Sequence, residues 1–302
     1  MRLPDLIYRL GQKWNYHTAG NDFERNVADI NRNYLRIKLR KDHFQILGQD
    51  YEFNRDVHGF IVERFDLFMQ LLRSGDSCII VDDEYLYYRS GNLQLRITTA
   101  EEIFILFEIY ARRCYDVLME NDFNVIDIGM NVGYASLFFA QNQKVHKIYG
   151  YEPFKPTFKA ALANFEMNKK YAAKIIPHNV GLGSGNHSLE VSYNDLQKGK
   201  NTSSNSTLGQ TETIRIHAAN EVIGSIIKEN PEADFVVKMD CEGAEFEIFE
   251  TYNSKKIPEQ LIAFIIEWHI KDPQSIIDKL IENHFKVHHT IHGDLGLITA
   301  FR

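Results

Sequence analysis

The residues with the clearest chemical potential lie in Asn124 to Gly133, NVIDIGMNVG, where an apolar run leads into Asp127 and then into Gly129 and Gly133, spaced G-x-x-x-G. Glu152, in YGYEP, follows nineteen residues after Gly133. The order is strand, glycine turn, helix, strand, carboxylate. A glycine turn at a strand end lets a ligand approach the backbone, and a carboxylate after the next strand is placed to accept from both hydroxyls of a ribose. An ordinary strand-to-helix turn would account for G-x-x-x-G alone, but the spacing of Glu152 favours a nucleoside site.

The turn also discriminates between adenosine cofactors. A pyrophosphate needs the middle glycine of G-x-G-x-x-G, and Met130 and Asn131 stand in its place. S-adenosylmethionine carries no phosphate, and Asp127 and Asn131 offer an anion and an amide to its charged methionine end. A second motif, FVVKMDCEGAE at Phe235 to Glu245, ends an apolar strand in Lys238, Asp240, Glu242, Gly243 and Glu245. With it the chain resembles the FkbM-type family of S-adenosylmethionine-dependent methyltransferases, whose signatures are D-x-G-x-N-x-G, E-P and K-x-D-x-E-G-x-E. They occur here in family order, as DIGMNVG from Asp127, EP at Glu152 and Pro153, and KMDCEGAE from Lys238. The resemblance runs from about Asn124 to the C-terminus and does not cover the preceding residues.

The resemblance implies an α/β fold, the Rossmann-like, doubly wound, mostly parallel seven-stranded sheet of class I methyltransferases. It implies S-adenosylmethionine as cofactor and a methyl acceptor that is a hydroxyl of a saccharide, glycan or natural product. The cofactor residues it suggests are Asp127, Gly129, Asn131, Gly133, Tyr134, Glu152, Pro153, Asn179, Val180 and Asp240. Asn179 and Val180 stand where the family places adenine contacts, although NVGLGS matches loosely. Of the aromatic residues beside the motifs, Tyr134, Phe154 and Trp268, each suits core packing, and Tyr134 is the one best placed to stack on the cofactor.

Methyl transfer to a hydroxyl calls for a positioned base. Ligands of open α/β sheets sit beyond the carboxyl ends of the strands. Asp240 ends one strand and Glu267 with His269 ends the next, if the strand order follows the family. Asp240 is the first candidate for the base or for the methionine end, His269 the second because an imidazole titrates near neutral pH, and Glu242 the third. Glu242 and Glu245 have an alternative role, pairing with Lys238 or fixing the turn, and at least one of them is expected to be structural. Asp240, Glu267 and His269 could instead hold a divalent ion, but no metal is assigned. Hairpin alternation would send His288 and His289 to opposite faces, so with His292 they make no zinc site.

Composition narrows the classes. A chain of 302 residues with 44% apolar content has ample core. Its net charge of −7 argues against a general nucleic-acid binder. Cys78, Cys114 and Cys241 have neither disulfide nor zinc spacing, which suits a reducing, cytoplasmic compartment. Asp5, Arg9 and Lys13 interrupt any signal-peptide core, and no run is long enough to span a membrane.

Two regions are expected. Residues 1–98 form an N-terminal extension, helical to about residue 75 on the spacing of Phe23, Val27, Ile30, Tyr34 and Ile37 and of Ile61, Phe65, Phe68 and Leu72. In it the basic run Arg32, Arg36, Lys38, Arg40, Lys41 reads as a solvated helix face. A small meander over Cys78–Val81, Tyr85–Tyr88 and Leu93–Ile97 follows. This extension would serve as a cap or as a homo-oligomer contact. Residues 99–302 form the methyltransferase domain, opened by a Thr99–Glu102 capping box. Its strands and helices alternate, with a loop-rich insertion from about Leu182 to Asp234, in which Asn201–Thr207 suggests a lid. It ends in a hairpin of Phe285–Ile291 and Leu295–Phe301. A nicotinamide-dependent oxidoreductase and a non-catalytic S-adenosylmethionine-binding scaffold are the rival readings.

Overall fold

The computed structural model of the chain describes residues 23–32, 37–48, 51–73, 77–193, 210–252 and 256–302. Its main sheet has seven strands, β1 (Phe123–Ile128), β2 (Val145–Tyr151), β3 (Ile175–His178), β4 (Asp234–Met239), β5 (Leu261–His269), β6 (Lys286–His292) and β7 (Leu295–Phe301). Their order is β6-β7-β5-β4-β1-β2-β3. Only β7 runs against its neighbours, pairing antiparallel with β5 and β6, while β5, β4, β1, β2 and β3 pair in parallel. This is the doubly wound Rossmann-like sheet. The chain steps outward from β1 to β3, then returns to start β4 on the other side of β1, so the switch point lies between β1 and β4, beyond whose carboxyl ends such folds bind ligands.

Parallel strands between two helical layers are buried on both faces, and all of β1 is buried. Alternation divides it. Phe123 and Val125 join one core with Val236 of β4 and Ala263 and Ile265 of β5. Ile126 and Ile128 join the other, with Phe235, Val237 and Met239 of β4 and Phe264, Ile266 and Trp268 of β5. The first core is closed by helices α1 (Tyr134–Ala140) and α2 (Lys155–Met167) and by the N-terminal elements. The second is closed by α3 (Ala219–Glu229), α4 (Ala244–Glu250) and α5 (Gln274–Glu282). Period-2 geometry therefore puts Asp127, Lys238, Glu267 and His269 on the face of the first core.

The N-terminal residues depart from the helical expectation. Phe23–Arg32 is a helix, but three short antiparallel strands follow, Ile37–Leu39, His43–Ile46 and Glu52–Asn54. Ile37 thus belongs to a strand, and exposed Lys38 and Arg40 lie outside any helix. The period of 3.6 failed because Phe44, Ile46 and Phe53 bury a β-sheet face instead. The helix expected around Phe65 is present at Phe65–Arg73. So is the meander, at Ser77–Val81, Leu86–Ser90 and Leu93–Ile97. Thr99 caps Ala100–Leu106 through the Glu102 amide at 3.2 Å, and the helix then widens into a π-turn, Phe107–Ala111.

The expected loop-rich insertion is more ordered than its composition suggests. Gly181–Gly183, His187–Tyr193 and Gln210–Ala218 make a separate three-stranded sheet leading into α3. Asn201–Thr207 lies outside the described residues. Among those residues no helix is long and apolar enough to cross a membrane.

Two side-chain amides, Asn164 of α2 and Asn168 capping its end, fasten the meander. Asn168 accepts from the Gln94 amide at 2.9 Å and donates to the Gln94 carbonyl at 2.6 Å. Asn164 accepts from the Arg96 amide at 3.0 Å and donates to the Val132 carbonyl at 2.9 Å, tying the meander to the glycine turn. Asn168 is buried, so its loss leaves the Gln94 backbone short of partners. Asn168→Ala is expected to lower unfolding free energy by about 1–3 kcal/mol. Urea titration checks this, and an unchanged midpoint would mean the latch carries no stability.

Candidate active site

The carboxyl end of β1 turns at once. Gly129 has φ 77°, Asn131 φ 51° and Gly133 φ 83°. At Gly129 the restriction is also steric, since a Cβ there would sit 1.7 Å from the Asp240 carbonyl oxygen. Asn131 is the non-glycine residue that best tolerates the left-handed region. Its amide donates to Glu152 Oε2 at 3.0 Å, and its own Oδ1 accepts from the Val132 amide at 2.7 Å. Glu152 Oε1 accepts from the Phe154 amide at 2.9 Å. Burial pushes the Glu152 carboxyl up to about 7, against the pull of these two amides. Asn179 reaches the same turn, its Nδ2 donating to the carbonyls of Glu152 and Pro153 at 2.9 and 3.0 Å.

Lys238 joins the two motifs. It is 2% exposed, and its Nζ donates to the Gly129 carbonyl at 2.7 Å while pairing with Asp127 at 3.1 Å and approaching Asp240 at 3.9 Å. Burial alone would discharge the amine, but Asp127 and Asp240 outweigh it and keep the ammonium. Asp127 is 0% exposed, and its other oxygen accepts from Ser136 Oγ at 2.6 Å. This corrects the sequence expectation for Asp127, whose carboxylate is consumed inside the sheet and does not face a methionine end.

At the end of β4 the chain turns through Glu242, φ 55°, and Gly243, φ 107°. Glu245, fully buried, accepts from the Cys241 and Gly243 amides at 2.7 and 2.8 Å and so fixes this turn, the structural role foreseen for one of the two glutamates. His269 Nδ1 lies 3.6 Å from Glu245 and its Nε2 3.8 Å from Glu267. Burial favours the neutral ring, but Glu245, Asp240, Glu242 and Glu267 together raise its pKa to about 10. The carboxylates around His269 thus favour its protonated form, against the neutral ring that a general base needs. Burial pushes Glu242 up to about 8, with Asp240 adding to it. Glu267 is raised further by burial and by Asp240 and Glu108. Ligand atoms of Asp240, Glu242 and His269 lie within 4.8 Å of one another.

Other expected contacts fall elsewhere. Tyr134 is 1% exposed and its hydroxyl donates to the Arg96 carbonyl, so the ring fastens the meander and does not face the turn. Val180 is buried in the second core and offers only backbone. Phe154 and Trp268 are core residues. Met130 packs against Gly150 beneath the turn, leaving Asn131 as the residue that crowds the place of a pyrophosphate glycine. Sequence reading missed Glu108, Cys114 and Tyr115. Tyr115 lies under Lys238, whose Nζ is 5.6 Å from the ring centroid. No motif marks these residues.

Removing the amine of Lys238 would strand Asp127 in the sheet. Lys238→Met is expected to cost about 3–5 kcal/mol, with part of the loss regained in Lys238→Met/Asp127→Asn. Chemical denaturation of the two variants measures it, and additive losses would show that the pair is not coupled.

Residues 127–287 match the family model described as the methyltransferase FkbM domain. A protein of Beauveria bassiana (strain ARSEF 2860) named Methyltransferase 1 is 25% identical over 193 residues, 56% of this chain and 73% of that protein. A methyltransferase FkbM structure from Methylobacillus flagellatus KT aligns with TM-score 0.41 at 12% identity, covering 79% of this chain and 59% of that one. A precorrin-6y C5,15-methyltransferase structure from Geobacter metallireducens GS-15 aligns with TM-score 0.39 at 13% identity, covering 72% of this chain and 93% of that one. The family match takes in all three motifs and more than half of the chain, which belongs to the FkbM methyltransferase family.

Proposed function

We propose that the protein is an S-adenosylmethionine-dependent methyltransferase acting on a hydroxyl, with a saccharide or natural-product acceptor. The observation that carries the cofactor reading is the Glu152 carboxylate at the end of β2, held by the Asn131 and Phe154 amides beside a left-handed glycine turn. That donor set suits a ribose without a pyrophosphate. When bound, S-adenosylmethionine would supply a methyl group that passes in line from sulfur to the acceptor oxygen, with S-adenosylhomocysteine leaving as a neutral thioether and the hydroxyl proton going to a base. Asn131, Glu152 and Asn179 orient the nucleoside. Asp240, partly exposed beyond the Lys238 clamp, faces the reacting end. Glu242, with a pKa near 8, is the carboxyl best matched to take the acceptor proton near neutral pH. His269, set between Glu245 and Glu267, positions the carboxylates around it. Cytoplasmic location and self-association through residues 1–98 remain part of this reading.

Calorimetric titration with S-adenosylhomocysteine and with NAD tests it. Binding of the first and none of the second is expected, and the reverse would establish the oxidoreductase. Glu152→Ala should weaken S-adenosylhomocysteine by about 1.5–3 kcal/mol. Because ribose hydroxyls donate to the ionised carboxylate, affinity should rise as pH passes upward through about 7, and Glu152→Gln should flatten that rise. A pH-independent wild type would remove Glu152 from the ribose.

A second reading places a divalent ion among Asp240, Glu242 and His269, whose ligand atoms already converge. Glu267, the third ligand expected from sequence, gives way to Glu242. Methyl transfer to neutral saccharides separates the two readings. Glu242→Gln should slow it about 10²-fold or more with EDTA harmless if the carboxyl is the base, whereas loss in EDTA and recovery with magnesium would mark a metal centre.

A further inference from the structure

Ile270 is an isoleucine where neither backbone conformation nor burial favours one. Its φ is 73°, and among the described residues it is the one β-branched side chain in the left-handed region. A β-branched residue is a genuine outlier there, because its Cβ substituents crowd the backbone. The turn is closed by two backbone bonds. The Lys271 amide donates to the His269 carbonyl at 2.8 Å, which makes Ile270 the centre of a three-residue turn, and the Ile270 amide donates to the Asp294 carbonyl at 2.7 Å. Such a turn with positive φ at its centre is the rare, strained kind. Glycine or asparagine would adopt it at less cost. Burial does not compensate, since Ile270 is 66% exposed.

The place this side chain occupies is specific. Ile270 directly follows His269 at the end of β5, and its Cδ1 reaches over the second motif turn, 3.6 Å from where a Cβ on Gly243 would stand. It therefore borders the group formed by Asp240, Glu242 and His269. Leu295, the first residue of β7, pairs directly with His269. Residues paired in this way share a sheet face, so Leu295 lies on the face of His269, two residues before Leu297, which packs against the first core. It is 42% exposed. Two large apolar side chains thus flank the site on its β5–β7 side. An exposed leucine alone needs no explanation, but a strained isoleucine that burial does not reward, set beside a reacting centre, points to use.

Resting on the methyltransferase reading above, we propose that Ile270 and Leu295 are acceptor-contact residues, and that they select a glycoside carrying an apolar aglycone over one that is polar throughout. The sugar hydroxyl meets the carboxylates, and the aglycone covers Ile270 and Leu295. Covering roughly 50–60 Å² of apolar surface corresponds to about a tenfold gain in affinity.

The test uses the full chain saturated with S-adenosylhomocysteine, titrated calorimetrically with phenyl glucoside and with methyl glucoside. Wild type is expected to bind phenyl glucoside about tenfold more tightly. Ile270→Asn keeps a residue suited to the turn but removes the apolar surface, so it should bring the two glucosides within about twofold of each other. Its S-adenosylhomocysteine affinity should match wild type and its urea midpoint should be no lower. Ile270→Val should keep most of the preference, and Leu295→Ser should reduce it. Equal binding of the two glucosides by wild type, binding of neither, or a preference unchanged in Ile270→Asn or in Leu295→Ser would each overturn the proposal. A lowered urea midpoint in Ile270→Asn would show that the isoleucine serves the turn itself, and would overturn it as well. Failure of wild type to bind S-adenosylhomocysteine would instead sink the methyltransferase reading, which that first titration reports separately.

Discussion

A buried ammonium organises the site. Lys238 leaves water almost completely, at a cost of several kcal/mol for an isolated charge, and it recovers that through Asp127, Asp240 and the Gly129 carbonyl. These partners come from the end of β1, the turn after it, and the end of β4. Two strands distant in sequence are thereby held in one register at their carboxyl ends. The Asp240 amide adds a bond to the Ile128 carbonyl at 3.0 Å, and the missing Cβ of Gly129 lets the Asp240 carbonyl approach. The switch point of the fold is thus closed by a charge network as well as by the sheet ladder.

Alternation along the strands explains how that network meets the N-terminal elements. A lysine on the other face of β4 would have entered the packing of α3, α4 and α5, among Ile223, Phe249 and Ile276. On its actual face it meets Tyr115, and the meander is fastened through Asn164 to the same turn whose carbonyls it serves. The residues before the family match are therefore packed into the same core and fastened to the same turn.

Much of the catalytic domain was legible because its information is local. DIGMNVG, EP and KMDCEGAE each hold their turn residues and carboxylates within eight positions or fewer, and the alternation of strands and helices points to a mostly parallel sheet. Within these motifs Glu152 takes the Phe154 amide and Glu245 those of Cys241 and Gly243, all close in the chain. What could not be read was long-range. Tyr134 follows the glycine turn directly, yet a carbonyl 38 positions earlier claims its hydroxyl. The pKa of His269 is raised by four carboxylates, three from the motif after β4 and Glu267 of β5 itself, and a lone histidine after an apolar strand gives no sign of them. The helical spacing holds over Phe23–Arg32 and fails at Ile37 for a similar reason, since pairing with His43–Ile46 overrode the helical period there.

The two motif turns share a further device. Each places a non-glycine residue in the left-handed region, Asn131 after β1 and Glu242 after β4, at a cost of about 1–3 kcal/mol apiece. In both, a carboxylate accepts the backbone amides of the turn, Glu152 those of Asn131 and Phe154, Glu245 those of Cys241 and Gly243. Strain of this kind persists only where surrounding bonds over-determine it, and here those bonds come from buried acids. The carboxylates that shape the turns are thereby withdrawn from solvent, both buried, so each turn holds its left-handed residue with an acid that the fold has taken out of water.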